Sequence, residues 1–204
     1  QIHLNERVSS IELIADNKIR LNTSKSHYSA SHIIIATSHL QAAQLLQNSS
    51  MAPDLIEILR SLNSLPITTC YFQYPEHISL PQTITGVTEG VIQWLIDRSS
   101  CGQPGLIAAI ISADEQHLKM DKQALIDKML RDINKIYPEW PQPVSTHLIR
   151  EKQATYMCTP MNQRNRPTST VVDKRIWLAG DFVASPLPAT IEAAVANGLK
   201  CADI

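Results

Sequence analysis

Apolar residues are spaced in several ways along this chain, and the spacing alone sorts most of it into strands and helices. Residues 4 to 14 alternate around Val8, Ile11 and Leu13, Asp16-Asn17 breaks the pattern, and Lys18 to Leu21 resumes it. Alternation on both sides of a turn pair predicts a β-hairpin. From Ser31 to Thr37 the apolar residues are consecutive, Ile33-Ile34-Ile35, which predicts a strand buried on both faces. Ser38 is placed to cap a helix over His39 to Leu46, with Leu40, Ala43 and Leu46 close on one face. After a polar break ending in Pro53, Leu55, Ile58, Leu59 and Leu62 recur at helical spacing and predict a short helix from Asp54 to Leu62.

The middle of the chain has a β texture. Ile67 to Tyr74 is rich in strand formers, and the apolar runs Val91 to Ile96 and Leu106 to Ile111 flank a Gly- and Pro-containing loop, so they predict an antiparallel hairpin. The clearest helix starts near Asp121. Its stripe is Leu125, Ile126, Met129, Leu130, Ile133, Ile136 and Tyr137, while Lys122, Asp127, Lys128, Arg131, Asp132 and Lys135 are expected to cover the other face. Pro138 ends it. A strand from Val144 to Arg150 follows, and residues 157 to 170, rich in Pro, Asn, Arg and Thr, predict an extended surface connection.

The last elements are the most distinctive. The apolar run from Ile176 stops at Gly180-Asp181, a loop follows over Phe182 to Leu187, and Pro188 is expected to open a helix. On that helix Ile191, Ala194, Val195, Gly198, Leu199 and Ala202 form one seam of small volume, so a close neighbour is expected along it. Hairpin, buried strand and helix, then strands and a long helix, then strand and helix again, give a mixed α/β (α+β) fold.

Composition narrows the function classes. With 204 residues, 44% apolar positions and a net charge of -1, the chain has the balance of an ordinary globular protein. No basic cluster supports nucleic-acid binding, no apolar run is long enough to span a bilayer, and no signal-peptide pattern opens the sequence. The four cysteines are widely separated, which predicts free thiols, a reducing compartment and a cytoplasmic location. The seven histidines show no short ligand spacing, so no metal site is expected.

Pattern alone leaves bland alternatives for each notable residue. Gly180-Asp181 suits a tight turn with a solvated carboxylate, Val8 a core strand position, Thr37 the start of a turn, and Trp94 a core or interface aromatic. Asp97-Arg98 suits a surface ion pair. No general acid or base stands out.

Gly180-Asp181 followed by Pro188-Ala189-Thr190-Ile191-Glu192-Ala193-Ala194-Val195 resembles the C-terminal flavin-binding motif of the amine oxidase and phytoene desaturase superfamily. Val8-Ser9-Ser10-Ile11 resembles the strand whose first valine meets the adenine end of FAD, and His32 to Thr37 the Ala-Thr strand that returns beneath the cofactor. Gln93 to Arg98, Ile111-Ser112-Ala113, Glu151 to Thr155, Thr159-Pro160 and Arg166-Pro167 are most similar to the squalene-associated FAD-dependent desaturases, or hydroxysqualene dehydroxylases.

The resemblance implies the C-terminal part of a two-domain flavoprotein. Residues 1–48 and 156–204 would belong to the FAD-binding domain and 49–155 to the substrate domain. It also implies FAD as cofactor, with Val8, Thr37, Gly180, Asp181, Pro188, Ala189, Thr190 and Ile191 around it. Asp181 would accept hydrogen bonds from the ribityl hydroxyls. The amides of Thr190, Ile191 and Glu192 would face the N1 and C2 carbonyl edge; Pro188 has no N–H to give. The implied activity is removal of the hydroxyl of hydroxysqualene to give squalene, on an apolar isoprenoid, with loose peripheral membrane association of the whole enzyme. A carotenoid or phytoene-type desaturase and an amine oxidase are the alternatives, the latter disfavoured by few aromatic residues. A non-catalytic lipid- or protein-binding domain is the rival from another class. Neither pattern nor resemblance fixes an oligomeric state.

Two departures stand out. Ala193 replaces the usual glycine and could crowd the packing behind a flavin, and Asn197-Gly198 replaces the usual Ser-Gly. The Gly-x-Gly-x-x-Gly element that binds the pyrophosphate has no match in the 204 residues. It is expected upstream of Gln1, which makes the chain a fragment that binds FAD weakly and is inactive alone.

Overall fold

The computed structural model describes residues 1–113, 116–172 and 174–203. They divide into two compact units, Gln1–Asn63 with Tyr156–Ile204, and Ser64–Thr155.

The first unit begins with β1 (Val8–Ile14), β2 (Lys18–Thr23) and β3 (His27–Ala30), an antiparallel sheet in that order. Asp16 and Asn17 take φ of 59° and 56° at the first turn, a region these short polar side chains tolerate. β3 is an addition to the expected hairpin; its sequence, His27-Tyr28-Ser29-Ala30, has too little apolar contrast to announce a strand. β4 (Ile33–Ile35) and α1 (His39–Asn48) follow, with the Ser38 hydroxyl accepting the Gln41 amide, as its capping position requires. β4 corrects one expectation: Ile33 and Ile35 are buried, but Ile34 is 44% exposed, so only one face of the strand is covered by this chain. On α1 the expected Ala43 and Leu46 are buried, joined by His39 and Ala42, while Leu40 is half-buried. α2 (Pro53–Ser61) packs on α1, which is why this unit runs to Asn63, beyond the boundary expected at residue 48.

The second unit is built on β5 (Ser64–Gln73), β6 (Ile84–Gly86), β7 (Trp94–Asp97), β8 (Leu106–Ser112), α3 (Lys122–Ile136) and β9 (Ser145–Tyr156). The sheet order is β6-β7-β8-β5-β9, and the β7–β8 pair is the expected antiparallel hairpin. Cys70, Phe72, Leu95, Ile107, Ala109 and Ile111 cluster with Leu125, Ile126, Met129 and Ile133 of α3. Burying each of the larger of these side chains is worth about 1.5–3 kcal/mol.

Two carboxylates in this unit are inside rather than outside. The helical pattern puts Asp132 on the solvent face of α3, yet it is buried and accepts the Val91 amide at 2.6 Å. Gly90 has φ of 93°, and a Cβ there would stand 2.3 Å from the Asp132 carboxylate, so glycine is required at that contact. Asp97 accepts the amides of Leu80 at 2.8 Å and Ser99 at 2.7 Å, so it is not half of a surface ion pair. Burial would raise its pKa, but the hydrogen bonds from Ser99 and Leu80 hold it below the ordinary aspartate value.

The chain then completes the first unit with α4 (Pro160–Arg164), β10 (Thr170–Val172), β11 (Ile176–Leu178) and α5 (Ile191–Ala202). Residues 157 to 170 are therefore more than an extended connection. Thr159 caps α4, and Asn162 is buried there, donating to the carbonyls of Leu62 and Met157. β11 pairs with β4 in parallel, Ile176 beside Ile33 and Leu178 beside Ile35, and β10 pairs antiparallel with β11.

α5 differs from expectation twice. It begins at Ile191, not at Pro188, because the Thr190 hydroxyl accepts the Ala193 amide at 3.2 Å and makes Thr190 the cap. The small apolar seam is also not the packed face. Ile191, Val195 and Leu199 are 79%, 56% and 63% exposed, while Ala193, Asn197 and Cys201 are buried. The reason is polar. Asn197 accepts the Gly180 amide at 3.0 Å and donates to the Ser169 hydroxyl at 2.8 Å, and the Cys201 thiol donates to the Leu178 carbonyl. These contacts fix the rotation of the helix about its axis.

Candidate functional site

β4 and β11 run side by side in the same direction, so their carboxyl ends reach the same sheet edge. The Ala179 amide extends the ladder by donating to the Ile35 carbonyl at 3.0 Å. Ala36-Thr37 leaves the sheet next to Ala179-Gly180. In open α/β sheets ligands bind outside the carboxyl ends of parallel strands, and this chain supplies one such edge.

Thr37 is exposed at that edge. It lines a cavity of about 580 Å³ together with half-buried Val8 and Leu21 and exposed Ile34, Gln41 and Asn48. Val8 and Thr37, far apart in sequence, thus share one cavity wall. The exposed face of Ile34 is its apolar floor. Gly180, Asp181 and Pro188 to Ile191 do not line this cavity; they follow the neighbouring strand β11 in the chain.

At Gly180 the chain turns tightly. A Cβ would stand 2.5 Å from the Phe182 ring, and the amide is held by Asn197, so glycine is the residue that fits. Phe182 is buried and meets the His39 ring edge-on at 6.1 Å. The Asp181 residue is half-buried, and its carbonyl is tied inward by Arg166 at 2.6 Å.

α5 opens on the same stretch. Thr190 takes up the Ala193 amide through its hydroxyl and the Ala194 amide through its carbonyl. The amides of Ile191 and Glu192, in the first turn, are left without an intrahelical acceptor. The positive end of the helix dipole therefore emerges beside exposed Ile191. Ala193, which stands where the resemblance implies a glycine, is buried, and its methyl is accommodated within the unit. At Gly198 a Cβ would meet nothing within 4 Å, so the expected close approach comes from no described part of this chain.

Arg166 is the residue that sequence pattern undervalues. It is only 6% exposed. Its guanidinium donates to the carbonyls of Asp181 and Val183 from one terminal nitrogen, and to those of Ser185 and Leu187, at 3.1 and 2.8 Å, from the other. It also lies 5.5 Å over the Tyr156 ring and donates to Gln163. Burial, then the Cys158 contact, pushes the Tyr156 phenol up to about 12, so it stays neutral beneath the guanidinium. One arginine in a Pro- and Asn-rich stretch carries no periodic signal, and only Pro167 after it hints at a fixed backbone.

Trp94 is 47% exposed, on the side of its sheet opposite to buried Leu95 and Asp97, and so is not a core aromatic of this unit. All four cysteines are free thiols. Among the described residues no group of three or more His, Cys, Asp or Glu is arranged to hold a metal, and no helix is long and apolar enough to cross a membrane.

The family model described as flavin containing amine oxidoreductase matches residues 1–204. This chain belongs to that family. Like other flavin-containing amine oxidoreductases, it has relatives in sequence and in fold. It is 29% identical over 144 residues to a hydroxysqualene dehydroxylase of Rhodopseudomonas palustris, covering 68% of this chain and 32% of the relative. The same figures hold for a hydroxysqualene dehydroxylase of Zymomonas mobilis. The chain thus spans about a third of the length of these relatives. In fold it is similar to a putative protoporphyrinogen oxidase of Exiguobacterium, TM-score 0.72, 18% identity, covering 100% of this chain and 47% of the other. It is also similar to a cyclohexylamine oxidase of Brevibacterium oxydans, TM-score 0.73, 18% identity, covering 97% and 47% respectively.

Proposed function

We propose that this chain carries the C-terminal half of an FAD site in an oxidoreductase that acts on an apolar isoprenoid, replacing the hydroxyl of hydroxysqualene by hydrogen to give squalene. The observation that carries the reading is the shared edge of β4 and β11, where Thr37 and Gly180-Asp181 leave parallel strands side by side, with the open first turn of α5 following in the chain.

The residues present fit the cofactor in separate parts. The cavity walled by Val8, Ile34 and Thr37 offers apolar surface for the flat adenine end, with Glu6, Arg7 and Gln41 also in its lining as polar partners. Gly180 lets the chain turn tightly against Phe182, and the half-buried Asp181 that follows brings a carboxylate as acceptor for ribityl hydroxyls. Pro188 and Ala189 lead into Thr190, whose cap leaves the amides of Ile191 and Glu192 for the N1 and C2 carbonyl edge. A helix start stabilises negative charge there without an ionised side chain. When bound in its reduced form, FAD would supply the hydride, which carries both electrons, while the hydroxyl takes up a proton and leaves as water; the chain's own part is to bind, orient and hold charge. The residues of the second unit belong, on this reading, to the substrate side, where exclusion of water protects a cationic carbon from being trapped by solvent. A substrate of this kind partitions into lipid, so the whole enzyme is proposed to work from the cytoplasm at a membrane face.

The test is turnover by the intact protein. Under anaerobic conditions with reduced flavin, hydroxysqualene should give squalene. Conversion of phytoene, or oxidation of an amine, in place of that reaction would overturn the substrate assignment. The 204 residues contain no Gly-x-Gly-x-x-Gly, so this chain alone should retain little FAD. Flavin absorbance at one equivalent after gel filtration would contradict that.

A further inference from the structure

We propose that Arg166 is a positioning residue for the cofactor loop: its guanidinium holds the segment from Asp181 to Leu187 in its binding shape before any cofactor arrives. The proposal rests on the FAD reading above and adds the device that sets the distance between Asp181 and the start of α5.

The geometry is specific to a guanidinium. Four carbonyls at alternate positions, Asp181, Val183, Ser185 and Leu187, turn toward one side chain, and the two terminal nitrogens take two each. The loop therefore wraps the side chain. A planar fork with fixed N–H directions can span four acceptors; a lysine ammonium has three donors on one point and cannot. Further bonds brace the fork. Gln163 accepts from Arg166 and from the Tyr156 hydroxyl, and the Ala184 amide donates to the Pro167 carbonyl at 2.8 Å. The loop so fixed is the segment that joins Gly180-Asp181 to Thr190, the two features the cofactor must meet together.

The charge has a second consequence. Among the described residues no carboxylate lies in salt-bridge reach of Arg166, and its Nε, buried, has no partner. Carbonyl dipoles and the face of Tyr156 solvate the cation. A buried cation without a counter-ion is costly to retain for stability alone, because apolar residues of similar volume often serve a fold as well. Its retention fits a role in shape: a loop rich in inward carbonyls would collapse or open without a multivalent donor at its centre.

The experiment uses the intact protein and FAD as probe. Arg166→Gln and Arg166→Lys should both weaken FAD binding tenfold or more, and the visible spectrum of residual bound flavin should lose resolution in both. Charge alone would predict that Arg166→Lys binds like the native protein, and that outcome overturns the proposal. Met129→Ala, a fully buried change on α3 outside the core cluster that Phe182 and Val183 join, serves as the stability control. It should lower the Tm by a similar amount and leave FAD affinity within twofold; affinity that simply follows Tm across all three variants also overturns the proposal. If neither Arg166 variant folds, hydrogen exchange on the native protein decides. The amides of Phe182 to Ala184 should be protected before FAD is added and change little afterwards, whereas protection that appears only with FAD refutes preorganisation. A native protein that binds no FAD at all would instead sink the FAD reading on which this rests.

Discussion

α3 lays its apolar stripe against a five-stranded sheet, with Leu125, Met129 and Ile133 fully buried. α5 leaves its stripe in the open and presents Ala193, Asn197 and Cys201 to its own unit instead. In α3 the packed face is chosen by area removed from water. In α5 it is chosen by hydrogen bonds, chiefly those of Asn197 to Gly180 and Ser169. The difference teaches that an apolar stripe states which face wants cover, while a single buried amide can decide which face this chain covers. A helix held by polar contacts keeps its apolar face available.

The contrast can be broken in order of effect. Met129→Ala removes a fully buried side chain from the α3 interface and should cost about 2–5 kcal/mol in denaturant unfolding; a loss under about 1 kcal/mol would mean that the interface is looser than its burial implies. Asn197→Ala should come next, costing about 1–3 kcal/mol by leaving the Gly180 amide unpaired. If Asn197→Ala is neutral while Val195→Ala is costly, α5 packs through its apolar seam and not through Asn197. Asp97 provides a pH-dependent arm in the second unit. Its pKa is lowered on folding, so its contribution is present above the ordinary aspartate value and lost as pH falls through the lower folded-state value. Unfolding midpoints of the native chain should therefore fall on acidification below about pH 4, the ordinary aspartate range. Asp97→Asn should show less of that fall, and parallel pH profiles would refute the assignment. Leu199→Ala should be smallest, within about 0.5 kcal/mol in this chain. In the intact protein a larger cost for Leu199→Ala would show that the exposed stripe finds its cover there.

Much of the frame is legible in the sequence because its signals are local. The Asp16-Asn17 turn, the Ser38 cap, the start of α3 near Asp121 and its apolar stripe, and the Gly180-Asp181 stop each depend on a few neighbouring residues. What is not legible depends on distant partners. Asn162 donates to a carbonyl 100 positions away, and nothing near it in sequence indicates burial. Asp132 matches the polar face of an amphipathic helix in every respect except that Val91 has brought its amide there. Pro188 is a reasonable first helical residue, but the hydroxyl of Thr190 competes for the same role and makes the hydrogen bond. For the site, sequence points to Val8 and Thr37, which line one cavity, and to Gly180-Asp181, which turns at the same sheet edge. Arg166 enters only through the Arg166-Pro167 likeness, without a role, because its hold on the loop runs through backbone carbonyls whose positions side-chain identity does not announce.

One contact described for Asn162 reaches beyond its local role. The Leu62 carbonyl it binds lies just before the point where the chain passes into residues 64–155, and the Met157 carbonyl lies just after the return. The Met157 amide also donates to the Asn63 carbonyl at 3.1 Å, so the departing and returning segments are stapled at their base. The second unit is thus an excursion from a closed doorway. Such a layout lets a lineage exchange the whole excursion for another without retuning the parallel edge that Thr37 and Gly180 occupy. Asn162 is then the contact that a graft on this frame must respect.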